Sequence, residues 1–275
     1  MEDEMFTPTP LSQLPAYVRK TPSICEGVIA IRSMVGRMVR LYAEKKSLDG
    51  PITSLKRKRS DGESFSYELE ARMKVSEGMF ENMLSALMIP DPQQFQWTED
   101  HPWVTIQDIY HGMEGRTVRT SVTFGINGII AAPVHMIKES LETVDLDARK
   151  GPIAFEVPNI RVQLSKETII DNVPMATKQT FARIKYRKVF RVRQYSYMLT
   201  KSWEGPTLDQ AEEKQRSGQP PTFEVEVELT HPEEELLKKK EDELAIATNL
   251  MLKVLSIFIP RYGNNISFDW VLSKK

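Results

Sequence analysis

At 275 residues the chain has room for one large β-rich domain or two small ones, and either can bury a substantial core. Its 37 basic residues stand against 38 acidic ones, so net charge by itself points to neither nucleic acid nor membrane, and the two signs matter only if they are segregated. Cys25 is the single cysteine, which excludes an internal disulfide and a cysteine-rich zinc site and suits a reducing compartment.

Residues 1–24 carry Pro8, Pro10, Pro15 and Pro22 with little apolar periodicity and read as an irregular arm; 25–275 read as one domain. Nothing near the N-terminus has the charged, apolar, small-residue order of a signal peptide, which predicts a chain that is not secreted. From 25 to 46, Val28, Ile29, Ile31, Met34, Val35, Met38, Val39 and Leu41 recur at the spacing of an amphipathic helix. Residues 47–63 combine Gly50, Pro51 and Gly62 with the run Lys56, Arg57, Lys58 and Arg59, an exposed loop that serves either as a nuclear address or as a solvated basic turn.

Short β-branched and aromatic stretches follow at 65–74, 103–111, 116–124, 127–138, 153–157, 160–168, 181–192, 194–202 and 222–230. Helices are expected at 78–88 and at 232–256, the second entered through Glu233, Glu234 and Glu235. Residues 205–221 read as a polar loop and 266–272 as a last strand. The most apolar stretches, 126–137 and 245–259, are broken by Asn127, Pro133 and His135 and by Thr248, Asn249 and Lys253, so neither is expected to span a bilayer. No internal repeat is present.

Three strands carry the chemistry. Thr222-Phe223-Glu224-Val225-Glu226-Val227-Glu228-Leu229 alternates strictly, placing Glu224, Glu226 and Glu228 on one face and apolar groups on the other. Ser66-Tyr67-Glu68-Leu69-Glu70-Ala71-Arg72 repeats the pattern with Glu68, Glu70 and Arg72. One such strand is most often the solvated face of a half-buried sheet. Opposite in sign is Phe181-Ala182-Arg183-Ile184-Lys185-Tyr186-Arg187, which sets Arg183, Lys185 and Arg187 against Ala182, Ile184 and Tyr186. Acidic and basic strands facing each other across a cavity can hold a hard cation on one side and phosphates on the other. With the charge inside, Val225, Val227, Leu229, Tyr67, Leu69, Ile184 and Tyr186 point outward and need cover, which the helices at 25–46 and 232–256 can give. About eight strands enclose a lumen wide enough for side chains and one small ligand.

These residues resemble the metal-dependent RNA 5′-triphosphatases of fungal, protozoal and viral capping systems, members of the triphosphate tunnel metalloenzymes. The resemblance spans roughly residues 65–230 and rests on three motifs in the family's order: Glu-x-Glu-x-(Lys/Arg) at Glu68, Glu70 and Arg72, Arg-x-Lys-x-Arg at Arg183, Lys185 and Arg187, and Glu-x-Glu-x-Glu at Glu224, Glu226 and Glu228. Weaker matches are Asp108 in Gln-Asp-Ile-Tyr, Arg119 in Val-Arg-Thr-Ser, Lys138, Glu167 ending Arg-Val-Gln-Leu-Ser-Lys-Glu, and Leu199-Thr200-Lys201. The resemblance implies a β-rich α+β fold: an antiparallel eight-stranded barrel with a charged lumen, flanked by helices. It implies Glu68, Glu70 and Glu228 as ligands of Mg²⁺ or Mn²⁺, and Arg119, Arg183, Lys185, Arg187 and Lys201 as phosphate holders. Glu167 and Glu226 would orient the attacking water, with Glu224, Asp108, Arg72 and Thr200 as further lumen residues. The implied function is removal of the γ-phosphate from triphosphate-ended RNA, the first step of mRNA capping, in the nucleus or, for a viral member, the cytoplasm. A capping guanylyltransferase is the implied partner. Where the family usually has Arg-x-Asp, this chain has Ser196-Tyr197-Met198; either the alignment slips there or Arg191 or Arg193 takes over.

Other chemistries find little support. His101, His111, His135 and His231 form no His-Glu-x-x-His helix, and neither a phosphate-binding Gly-x-x-x-x-Gly-Lys-(Ser/Thr) loop nor a Gly-x-Ser-x-Gly elbow occurs. Lys46-Ser47-Leu48-Asp49-Gly50 is one residue too long for the Lys-x-Asp-Gly of capping nucleotidyltransferases. The remaining rivals are a barrel acting on inorganic or other small triphosphates, a non-catalytic polyphosphate- or RNA-binding barrel, and a structural β domain with solvated charge stripes. Trp103, Tyr110, Tyr195, Tyr197 and Trp203 either stack on RNA bases or pack in the core and rim.

Overall fold

Strands that alternate charged and apolar residues must bury one face and find counter-ions for the other, and a closed ring with helices outside satisfies both demands. The computed structural model describes residues 35–42, 57–58, 64–88, 99–113, 115–148, 159–171, 178–192, 195–229 and 270–272. Its elements in chain order are α1 (35–42), β1 (Arg57–Lys58), β2 (Ser64–Val75), α2 (Glu77–Met88), β3 (Glu99–Asp100), β4 (Val104–Met113), β5 (Arg116–Gly125) and β6 (Gly128–Ile129). They continue with β7 (Val134–Ala148), β8 (Ile160–Ile170), β9 (Lys178–Val192), β10 (Tyr195–Gly205), α3 (Leu208–Arg216), β11 (Thr222–Leu229) and β12 (Trp270–Leu272).

Eight strands pair in the order β7-β8-β2-β11-β10-β9-β4-β5, and β5 pairs back onto β7 from Val118↔Ile137 to Ser121↔Val134, closing the ring. Every pairing is antiparallel. The short strands sit at the margins, β1 on β2, β3 on β9, β6 on β5 and β12 on the far end of β7.

The hydrophobic core lies outside the ring. Leu69, Ala71 and Met73 of β2, Val225 and Val227 of β11, Tyr197 and Leu199 of β10 and Val162 and Leu164 of β8 form one buried cluster with two helices. Helix α1 contributes Val35, Met38, Val39 and Tyr42, a single stripe at helical spacing, and the Tyr42 hydroxyl donates to the Leu229 carbonyl at 3.3 Å. Helix α2 contributes Phe80, Met83 and Leu87. Its first turn is capped by Ser76, whose Oγ accepts from the Met79 amide at 3.4 Å. The cover expected from the 25–46 segment is thus present over 35–42, and Tyr186, at 38 % exposure, is the least covered of the outward residues.

Three expectations need correction. The stretch 127–138 is not one strand: Gly128, at φ 104°, turns the chain into β6, and β7 begins only at Val134, after Pro133. β7 then runs on to Ala148 through an irregularity between Ser140 and Glu142. The polar loop at 205–221 contains α3, nine residues long, begun by Thr207, whose side chain accepts from the Gln210 amide, and anchored by buried Ala211. Its composition hid it, because a helix that buries one alanine shows almost no apolar period. The arm at 1–24, the strand at 153–157 and the helix at 232–256 lie outside the described residues, as do 266–269 of the last strand. No helix among the described residues is long and apolar enough to cross a membrane.

The wall depends on its helical cover. Phe80 is fully buried against Phe223, with ring centroids 5.1 Å apart. Phe80→Ala is expected to cost about 3–5 kcal/mol of stability, read as a lower denaturation midpoint.

Candidate active site in the barrel lumen

The register decides which charges meet. Glu70 lies opposite Glu228, and Arg72 opposite Glu226, across the β2–β11 pair. On the other side of β2, Glu68 faces Ser165 and Ser66 faces Glu167. Like charges directly opposite repel, and the neighbouring strand supplies the answer. Lys138 of β7 sits opposite Glu167, and its Nζ contacts a Glu68 carboxylate oxygen, Glu70 Oε1 at 3.0 Å and Glu167 Oε1 at 3.7 Å.

The wall formed by β9 is cationic, and each of its three central residues meets a carboxylate. Arg183 reaches Glu204 at 2.5 Å and Glu224 at 3.5 Å. Lys185, only 6 % exposed, contacts Asp108 at 2.5 Å, and Asp108 also accepts from the Ser121 hydroxyl at 2.6 Å. Arg187 donates to Glu226 at 2.7 Å and to Thr200 Oγ1 at 2.9 Å. Arg72 meets Glu226 at 2.8 Å and Glu70 at 3.0 Å, so Glu226 bridges Arg72 of one wall and Arg187 of the other. Arg119 lies 3.8 Å from Glu167 and 3.0 Å from Met136 Sδ.

Electrostatics separate two groups of carboxylates. Burial pushes Glu226 up, but Arg187, Arg72, Lys185 and Lys138 overcome it and hold the carboxyl down at about 2. Asp108 is likewise lowered: burial raises it, and Lys185 and Arg119 together with the hydrogen bonds from Lys185 and Ser121 outweigh that. Glu228 is pushed up to about 8 by burial and by the charges of Glu68, Glu70 and Glu167. Glu68 and Glu70 are raised as well, by burial first and then by neighbouring carboxylates. Burial brings Lys185 down to about 8 despite Asp108 beside it. One sector therefore holds more carboxylates than its cations answer, and the other is a lattice of paired ions.

The expected site residues Glu68, Glu70, Arg72, Asp108, Arg119, Glu167, Arg183, Lys185, Arg187, Thr200, Glu224, Glu226 and Glu228 all fall on the inner face of the ring, in alternating phase with the buried outward residues. Lys201 does not. It lies one residue out of phase, on the outer face, where its ammonium contacts Glu81 of α2 at 2.9 Å and sits 5.3 Å from the Phe80 ring centroid. A run of three residues read as one motif must alternate sides in a strand, so Thr200 takes the inner place and Lys201 cannot hold a phosphate there. Ser196 and Met198 do face inward, opposite Glu228 and Glu226. Ser121, Met136 and Glu204 are lumen residues that motif reading passed over, and Tyr110, expected either to stack on RNA bases or to pack, also faces the lumen. The alternation of β10, in which Ser196, Met198, Thr200, Ser202 and Glu204 share a face, was the signal that could have found the last. Tyr195 and Tyr197 belong to the outer core, and Trp203 spends its indole N–H on the Gln219 carbonyl at 2.8 Å.

The acidic sector has the donor chemistry of a metal site but not its convergence. Glu68, Glu70 and Glu228 offer only hard oxygen donors on adjacent strands, and their raised proton affinities mark a place short of positive charge, which suits Mg²⁺ or Mn²⁺ chemically. Among the described residues, however, no group of three or more acidic, histidine or cysteine side chains converges closely enough to hold an ion. The Lys138 ammonium stands among those carboxylates instead.

A raised carboxyl gives a stability signature with a definite sign. Glu228 favours the fold while it is protonated, so its contribution is full below about pH 4.5 and is lost as pH rises through about 8. Glu228→Gln cannot ionise and is expected to melt higher than the natural protein at pH 9, by at least about 3 °C, with the gap closing toward pH 5. Thermal melts across that range check it, and a gap that grows as pH falls would mean that the Glu228 carboxyl is not raised.

No protein-family profile matches the sequence, and no curated protein matches it. Solved structures do. The RNA triphosphatase Pct1 of S. pombe is similar over 82 % of this chain and 91 % of its own, at 12 % identity and a TM-score of 0.56. The same enzyme in complex with the Spt5 CTD matches over the same shares of both chains, at 12 % identity and a TM-score of 0.54. A Mimivirus capping enzyme triphosphatase covers 70 % of this chain and 88 % of its own at 12 % identity, with a TM-score of 0.47, too low to carry weight. The likeness to Pct1 and the closed antiparallel ring with its charge inside together make this a β-rich triphosphate-tunnel fold.

Proposed function

We propose that this chain is an RNA 5′-triphosphatase, hydrolysing the terminal phosphoanhydride of triphosphate-ended RNA to leave a diphosphate end. The observation that carries this is the two-signed lumen: Arg183, Lys185 and Arg187 on β9 and an acidic sector of Glu68, Glu70 and Glu228 on β2 and β11, with β10 between. A triphosphate carries several negative charges, and water attacks the terminal phosphorus as the bond to the bridging oxygen breaks, giving inorganic phosphate and the shortened end. Catalysis then needs positioning and charge dispersal rather than a nucleophilic side chain.

Arg187 and Lys185 would take the terminal phosphate, and Arg183 and Arg119 the inner ones. Glu226, held near pKa 2 and already bridging both walls, is ionised at neutral pH and accepts a hydrogen bond from the attacking water. Glu167 can hold the same water from the Lys138 side. Mg²⁺ or Mn²⁺ held by Glu68, Glu70 and Glu228 would neutralise charge on the terminal phosphate as it develops. In this reading the chain supplies the first step of mRNA capping, hands its product to a guanylyltransferase, and works in the nucleus, or in the cytoplasm for a virus.

A phosphate-binding barrel without hydrolysis is the second reading. It is favoured by Met198, whose sulfur lies 3.4 Å from Arg187 in the lumen, and by the internal pairing of each central basic residue.

Phosphate release from γ-labelled triphosphate-ended RNA, ATP and inorganic triphosphate, with Mg²⁺ or Mn²⁺, tests the proposal. Glu70→Ala and Glu226→Gln are expected to lower turnover by about 10²-fold or more. Lys201→Met, altered only on the outer face, should keep natural turnover. Binding of the same ligands without release from any of them would establish the second reading. Faster release from inorganic triphosphate than from RNA would make the enzyme a small-molecule one.

A further inference from the structure

Tyr110 and Phe181 face each other across the β4–β9 pair, with ring centroids 5.4 Å apart and planes at 56°. They are in phase with Asp108 and Arg183, two residues along each strand, so both rings lie on the inner face. That setting is unusual for aromatic carbon in this barrel, because the hydrophobic core is on the other side of the wall. Neither ring is buried, and neither belongs to the outer core cluster.

Their neighbours are cationic. Tyr110 is paired in register with Arg119, and the Arg183 guanidinium lies 6.0 Å from the Phe181 centroid. The Nε–H of both arginines is buried, and no described group accepts from either. A buried guanidinium donor without an acceptor is costly, and an anion held at Arg183 would satisfy the one there. Arg119 stands level with the rings, whereas Arg183 lies one two-residue step, about 7 Å, along the strand from Phe181. That separation is comparable with the span from an ester-linked phosphate across its ribose to the base.

We propose that Tyr110 and Phe181 form a nucleobase platform at the end of the phosphate-binding row. The first nucleoside of a 5′-triphosphate end stacks there while Arg183 holds the phosphate that carries it and Arg119 flanks Tyr110. The inference rests on the phosphate-binding role of the lumen and goes beyond it by assigning the substrate class: a nucleoside 5′-triphosphate end is held more tightly than inorganic triphosphate. Every base offers a π-face, so the platform prefers nucleotides without reading sequence.

Equilibrium binding of a β,γ-imido nucleoside triphosphate and of inorganic triphosphate, in Mg²⁺, tests this in the natural protein, Tyr110→Leu/Phe181→Leu and Phe181→Tyr. Nucleotide affinity is expected to fall about ten-fold in the double variant, with inorganic triphosphate affinity unchanged and Phe181→Tyr close to natural. In the natural protein, the fluorescence of 2-aminopurine riboside 5′-triphosphate should be quenched on binding, a readout independent of how the double variant folds. Equal loss of both ligands, or an unquenched base, overturns the platform while leaving the phosphate site standing. Binding of neither ligand by the natural protein overturns both.

Discussion

Two glutamates on adjacent strands, Glu70 and Glu228, face each other inside a closed barrel, and the rest of the architecture follows from making that tolerable. Charge inside the ring forces the apolar halves of the same strands outward, so the core forms between the wall and the helices instead of within the lumen. That inversion explains why α1 and α2, small as they are, carry some of the largest buried side chains among the described residues, Tyr42 and Phe80. Closure through β5 and β7 removes the open edges that a strongly charged sheet would otherwise present to solvent.

Within the ring the charges are not evenly answered. Arg72 and Arg187 converge on Glu226, and Lys185 on Asp108, giving a paired lattice. Glu68, Glu70, Glu228 and Glu167 share little beyond Lys138 and the flanking arginines. Burying a paired ion rarely gains stability over an apolar alternative, so a lumen built this way makes physical sense as a receptacle for a polyanion and its counter-cation. Binding would exchange internal ion pairs for pairs with phosphate, and the protein arrives with its donors already oriented.

Much of this was legible beforehand, for a local reason. Alternation in β2, β9 and β11 assigns faces from residue types alone, and all three motif strands fall where that predicts. Legibility failed where period or phase was hidden. Lys201 was grouped with Thr200 because the two are adjacent in a motif, although adjacency in a strand puts them on opposite faces. Helix α3 buries too little to show a period, and β7 was cut short because its irregularity at Ser140 and Glu142 breaks the alternation. The Tyr110–Phe181 pair escaped because the two residues are 71 positions apart and meet only through the β4–β9 register.

The sequence by itself determined the sign of each wall and the need for a closed, helix-covered barrel, since a strand with charge on one face and apolar groups on the other has few stable environments. Only the tertiary structure decided which charges touch. That Lys138 answers Glu68, Glu70 and Glu167, and that Glu226 joins Arg72 to Arg187, depends on strand order and register around the ring. Those are set by long-range pairing and closure, which no local pattern encodes.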